Sequence, residues 1–204
     1  NFENGFILNN RTGGGSGAVS LTEIIFENNQ NDGIAIQTNG AVVLRNLFGN
    51  QSGRTGIDID NAATLLRPVT LTNVTVNNSK AEALRILSAG AVTITGLTAE
   101  YGQASVSGRD AYAVSIDNSA GSAAITLSNL NLSFNPVKQY VLWAYSAGPI
   151  TLTNARLYSN SAGGGFSLDN SAAASPRPVV LRGVQVYYMG GGHGGSVQSK
   201  GDIS

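Results

Sequence analysis

The chain has 204 residues, with 12 Lys+Arg balanced by 12 Asp+Glu, one His, no Cys and 26 Gly. A charged fraction of 12%, about half the usual ~25%, excludes a coiled coil and a charge-rich disordered chain, and the lack of Cys excludes a disulfide scaffold and a thiolate metal site. Zero net charge and no apolar run near the ~18–20 residues that span a bilayer argue against a nucleic-acid partner and against membrane insertion.

In chain order, Phe6/Leu8 forms a partial rung. One alternating phrase then recurs seven times: Val19-Ser-Leu21, Val42-Val-Leu44, Val69-Thr-Leu71, Val92-Thr-Ile94, Ile125-Thr-Leu127, Ile150-Thr-Leu152 and Val179-Val-Leu181. An eighth copy begins at Ile203. Alternation of this kind is the period of a strand with one buried face.

Two residues after each phrase stands a corner position: Glu23, Asn46, Asn73, Gly96, Asn129, Asn154 and Gly183. Asn and Gly tolerate left-handed backbone angles, so a sharp bend is expected there, and Glu23 is the exception that fits least well. A second apolar pair follows each corner, from Ile24/Phe26 through Leu47/Gly49 to Val184/Val186. A third pair follows a loop: Ile34/Ile36, Ile57/Ile59, Leu84/Ile86, Val114/Ile116, Leu142/Ala144, Phe166/Leu168 and a weak Val197/Ser199. Lys80–Leu87 contains good helix formers, but Leu84/Ile86 keeps the register of the repeat and predicts a strand.

The return from third pair to next phrase alternates between short, as in Ser88-Ala89-Gly90, and long. Long returns open with Asp60-Asn61, Asp117-Asn118 and Asp169-Asn170, which gives a superperiod of two coils. Three short strands per coil of ~27 residues cannot bury an apolar face alone, whereas stacked coils can. The pattern resembles the right-handed parallel β-helix of pectin-lyase-like proteins, and the Asn corners resemble that family's asparagine ladder. The expected fold is all-β, one β-helix domain over residues 1–204 with about seven full coils. Phe2 aligns with Phe26 and Ile203-Ser204 with Val19-Ser20, so both ends are expected inside a coil. This fits an excerpt of a longer repetitive protein, or copies that stack end to end.

Asn31-Asp32-Gly33-Ile34-Ala35-Ile36 resembles the polygalacturonase acid motif, but only one of its two Asp is present, and Gly192-His193-Gly194 resembles that family's Gly-His-Gly segment. Asp32 and His193 fall on coils six rungs apart, ~29 Å at the rung spacing, which is too far for joint acid–base work on one bond. No catalytic residue, cofactor site or metal site is therefore expected. His193 has no second ligand at metal-binding spacing.

The remaining candidates are surface sites. Asp60, Asp117 and Asp169 end third strands in alternate coils, where Asp-Asn caps a turn through its own side chain; the alternatives are weak Ca²⁺ binding and a surface-binding role. Asp58 and Arg85 should be rung neighbours in an ion pair, with no second carboxylate joining Asp58 to form a catalytic or calcium pair. Thr70/Thr72, Thr93/Thr95, Thr126/Ser128 and Thr151/Thr153 should form a flat hydroxyl grid resembling the Thr-x-Thr arrays of β-solenoid ice-binding proteins. Of the aromatic residues, Tyr158 and Tyr187 should be rung neighbours, with Trp143 on another face; Tyr140, Tyr145 and Tyr188 complete the set.

The leading expectation is a non-enzymatic, extracellular or cell-surface structural or adhesive segment that forms a stiff rod or filament by self-association, resembling large repetitive bacterial surface proteins. The alternative is a carbohydrate-binding or polysaccharide-degrading β-helix resembling tailspikes and pectinases. Ice binding through the Thr face is a third.

Overall fold

Alternating short apolar side chains on segments separated by left-handed corners leave one solution, a coil whose apolar faces meet inside. The computed structural model describes residues 3–62, 66–102, 112–134, 139–159, 163–187 and 193–204; Phe2, Tyr188 and Gly192 of the sequence reading lie outside this set. The described residues form a parallel β-solenoid of about six turns, close to the seven coils that the phrase count predicts, with a single three-residue 3-10 turn as its only helix.

The first sheet stacks eight parallel strands built on the third pairs: β1 (Phe6–Asn9), β4 (Ile34–Gln37), β6 (Ile57–Asn61), β8 (Leu84–Ser88), β10 (Tyr112–Asn118), β12 (Tyr140–Ser146), β14 (Gly164–Asp169) and β16 (Gly195–Gln198). The second stacks β2 (Val19–Thr22), β5 (Val42–Ser52), β7 (Val69–Asn77), β9 (Val92–Gly102), β11 (Ile125–Phe134), β13 (Ile150–Ser159) and β15 (Val179–Tyr187), with β3 (Ile25–Asn29) paired to β5. Ile203 forms a parallel bridge to Val179 where the eighth phrase begins.

The seven phrases stand in one register from Val19 through Val42, Val69, Val92, Ile125 and Ile150 to Val179. From the second coil on, the predicted first and second strands are one long strand bent at its corner, because a single left-handed residue turns the chain without interrupting the ladder. Glu23, Asn46, Asn73, Asn129 and Asn154 have φ between 52 and 58°, and Gly96 and Gly183 have φ of 73 and 61°. Along this edge Asn73 Nδ2 donates to Asn46 Oδ1 at 3.3 Å, and Asn154 Nδ2 to Asn129 Oδ1 at 3.4 Å. A second left-handed corner, at Asn28, Gln51 and Asn78, leads toward the first sheet, with Asn78 Nδ2 donating to Asn50 Oδ1 at 2.8 Å.

Inward side chains from both sheets form one continuous apolar cluster along the axis, mostly Ile, Leu and Val with almost no exposure. Each such burial contributes about 1.5–3 kcal/mol, so the repeat itself carries the stability. Leu84–Ser88 is a strand despite its helix formers, since Leu84 and Ile86 are wholly buried between neighbouring rungs. The last third pair is displaced from the sequence reading: Phe166 pairs with Gly195 and Leu168 with Val197, so Gly195/Val197 replaces Val197/Ser199, and Ser196 extends the outward column from Ser167. Gly195 supplies no apolar side chain, and its Cβ would collide with the Phe166 ring.

The two-coil superperiod has a chemical basis in the returns. In each long return a buried or half-buried Asn amide turns back on the loop: Asn10 donates to Gly17 O, Asn61 to Arg67 O, Asn118 to Ala123 O and Asn170 to Arg177 O, at 2.6 to 2.9 Å. In the following coil a Ser or Thr occupies the same inner column, and its hydroxyl accepts the N–H of the Gly two residues on: Thr38 from Gly40, Ser88 from Gly90, Ser146 from Gly148 and Ser199 from Gly201, at 2.9 to 3.1 Å. Each of those Gly residues abuts the loop carbonyls of the coil below, where a Cβ would clash with backbone. Thr38, Ser146 and Ser199 also donate to the same carbonyls that Asn10, Asn118 and Asn170 hold. In three of the four pairs the Asn coil and the Ser/Thr-x-Gly coil thus share one carbonyl, whereas Ser88 donates to Gly90 O.

Candidate functional site

The outer face of the first sheet collects most of the chemistry-bearing residues. One outward column runs Asn9, Gln37, Asp60, Leu87, Asp117, Tyr145, Asp169 and Gln198, so the three Asp occupy alternate rungs as the sequence predicts. Each closes a turn with its own side chain: Oδ1 of Asp60, Asp117 and Asp169 accepts the N–H of Ala62, Ser119 and Ser171 at 3.2, 2.9 and 2.8 Å. Asn9 does the same for Arg11 at 3.1 Å, which marks Asn9-Asn10 as a fourth member of the Asp-Asn series that sequence reasoning missed. Asn in place of Asp hid it.

Asp60 differs from its column mates in carrying a bidentate ion pair. Arg11 reaches over the second rung to Asp60 with contacts of 2.8 and 3.0 Å, and also donates to Asp60 O at 2.8 Å. The Arg11 hydrogen bonds hold the Asp60 carboxyl below its ordinary pKa; partial burial opposes this, and the Ala62 N–H assists.

The parallel outward column runs Ile7, Ala35, Asp58, Arg85, Ser115, Trp143, Ser167 and Ser196. Asp58 and Arg85 are paired at 2.7 Å on adjacent rungs, as expected. Asp60 stands two residues along on the same half-buried face and is committed to Arg11. The small side chain of Ala35 leaves a notch of about 210 Å³ lined by Ala35, Ile36, Gln37, Asp58, Asp60 and Arg85.

Farther along the same face Trp143 stacks with two tyrosines. Its ring lies 5.1 Å from Tyr112, at 17° to it, and 5.9 Å from Tyr145, at 25°. Sequence reasoning placed Trp143 off the Tyr158/Tyr187 face correctly but did not find Tyr112, which precedes the inward pair of its strand. Tyr112 donates to Gln139 Oε1 at 2.8 Å, and burial, then Tyr140 and Glu82, raise its pKa. Glu82 is buried beside this stack and accepts from Ser115 Oγ at 2.6 Å. Tyr158 and Tyr187 are rung neighbours on the second sheet and are exposed.

The hydroxyl grid is in register. Thr70, Thr93, Thr126 and Thr151 form one column, and Thr72, Thr95, Ser128 and Thr153 the other, bounded by Val43/Arg45 and Val180/Arg182. Asp32 and His193 remain six rungs apart on the first-sheet side. The Asp32 carboxylate accepts the Thr55 N–H at 3.0 Å and lies 3.7 Å from Arg54, so it serves the turn between rungs. Among the described residues no three His, Cys, Asp or Glu come together as a metal site.

Fold and surface together define a parallel β-solenoid repeat segment. No family model, no curated protein and no solved structure matches the chain.

Proposed function

We propose that the chain is a structural or adhesive β-solenoid segment of an extracellular or cell-surface protein, acting as a stiff rod that spaces, scaffolds or self-associates. The interlocked return carbonyls, as at Ala123 between Asn118 and Ser146, carry this reading. They join coil to coil through polar groups as well as through the apolar columns. Parallel ladders on both sheets add a continuous backbone hydrogen-bond chain along the axis, and the apolar interior is close-packed and hard to compress.

Stretching single molecules tethered at both ends tests the reading. The expected trace is a series of discrete, similar force steps as coils leave the stack, with preferred increments of two coils. Smooth extension without resistance overturns it.

A second reading, carbohydrate binding, is favoured by one specific observation: the aromatic stack and the polar notch share one outer face.

A further inference from the structure

We propose that the notch formed by Ala35, Gln37, Asp58, Asp60 and Arg85 is a subsite for one pyranose ring of a neutral, hydroxyl-rich glycan whose chain runs along the solenoid axis toward Trp143. The proposal rests on the adhesive and carbohydrate-binding side of the function proposed above, and it names the ligand and the place.

The notch offers donors and acceptors side by side, as a pair of adjacent sugar hydroxyls requires. Asp60 uses three of its roughly four acceptor sites on Arg11 and the Ala62 N–H, which leaves Oδ2 one site for a hydroxyl. Arg85 commits one of its five N–H donors to Asp58. Gln37 Oε1 accepts from Asn9 Nδ2 at 3.1 Å, which orients its amide NH2 as the group left to donate.

Charge selects among ligands. Two carboxylates are matched by two guanidinium groups, Asp58 with Arg85 and Asp60 with Arg11, so the notch has no surplus charge to neutralise. A cation would have to displace a guanidinium, and an acidic sugar would face both carboxylates. A neutral polyol keeps both ion pairs intact. Those pairs also hold the planar side chains in place, so little rotamer entropy is lost on binding. The volume of about 210 Å³ admits one ring.

Direction follows from the second observation. In the same column, Trp143 lies two rungs beyond Arg85, ~9–10 Å along the axis, about the length of a disaccharide unit in an extended chain. The Tyr112–Trp143–Tyr145 stack supplies apolar surface for sugar C–H groups there, already fixed ring against ring.

Trp143 is the chain's single Trp, so its fluorescence reports on the far end of the site. The whole chain would be titrated with cellohexaose, mannohexaose and laminarihexaose, and with hexagalacturonate as the acidic probe, using saturation-transfer NMR together with Trp143 emission. At least one neutral hexasaccharide should bind and perturb Trp143. Gln37→Ala, at an exposed position, and Arg85→Lys should each weaken it about fivefold to tenfold, the effect of one lost hydrogen bond, while melting temperature stays within the wild-type range. Thr93→Ala, on the other sheet, should leave binding unchanged. Failure of all three neutral probes, binding of hexagalacturonate alone, or equal affinity in Gln37→Ala and Arg85→Lys would overturn the subsite. The stretching experiment reads the rod independently of any glycan, so either proposal can fail alone.

Discussion

Phe26 lies over Gly49 on the next rung, its ring filling the space that any Cβ at Gly49 would need. The sequence pair Leu47/Gly49 looks like a lapse in the apolar pattern, but the missing side chain is supplied from the coil below. Gly49→Ala is expected to cost about 1–3 kcal/mol through overpacking. Phe26→Leu in the same chain should recover part of that loss. Urea denaturation of both single variants and the double variant would give a coupling of about 0.5–3 kcal/mol, whereas strictly additive costs would mean that the two sites do not share the space.

The corners make a prediction of opposite sign at two positions. Glu23 has a φ of 58° with no Asn or Gly character to support it, so Glu23→Gly or Glu23→Asn should stabilise the chain by about 0.5–1 kcal/mol. Asn73, at a φ of 53° and bonded to Asn46, should lose about 1–2 kcal/mol on substitution by Ala. Thermal melts of the three variants separate these effects by direction alone.

Much of the architecture was legible because it rests on side-chain periodicity. The inward columns, the first corners, the alternate-rung Asp residues, the Asp58–Arg85 pair and the Thr register all follow from counting residues between apolar positions. What was missed depends on where backbone carbonyls point or on positions outside the apolar pairs. Asn61, Asn118 and Asn170 were visible as the start of long returns, but their role depends on loop carbonyls at Arg67, Ala123 and Arg177. Tyr112 sits before its inward pair, so its stack with Trp143 carries no periodic signal. The final register slipped because Gly195 contributes no side chain to the column it occupies.

The interlocked returns can be opened one at a time. Asn118→Ala removes the amide that holds Ala123 O and leaves Ser146 as its remaining side-chain donor. The expected cost is about 1–3 kcal/mol, with faster amide hydrogen exchange at Asn118 to Ala124 and in the return of the next coil at Ser146 to Gly148. Exchange confined to the Asn118 loop would show that the two coils are not joined there.

Acid should loosen one end selectively. Arg11 holds the folded Asp60 carboxyl below its ordinary pKa, so the pair's contribution is present above ~4 and is lost as pH falls through the lowered folded value. Both partners are partly exposed, which limits the contribution to about 1 kcal/mol. Asp60→Asn should therefore melt below the wild type at pH 6, and the gap should narrow toward pH 2. A gap that does not depend on pH would assign the effect to the Ala62 turn instead.

Electron microscopy and fibre diffraction of the native material would read out an axial stack of coils that repeats in twos. Rods or filaments are expected, with a strong ~4.8 Å axial repeat and a weaker one near twice that spacing, from the alternation of Asn and Ser/Thr-x-Gly coils. Discrete compact particles with neither repeat would contradict it.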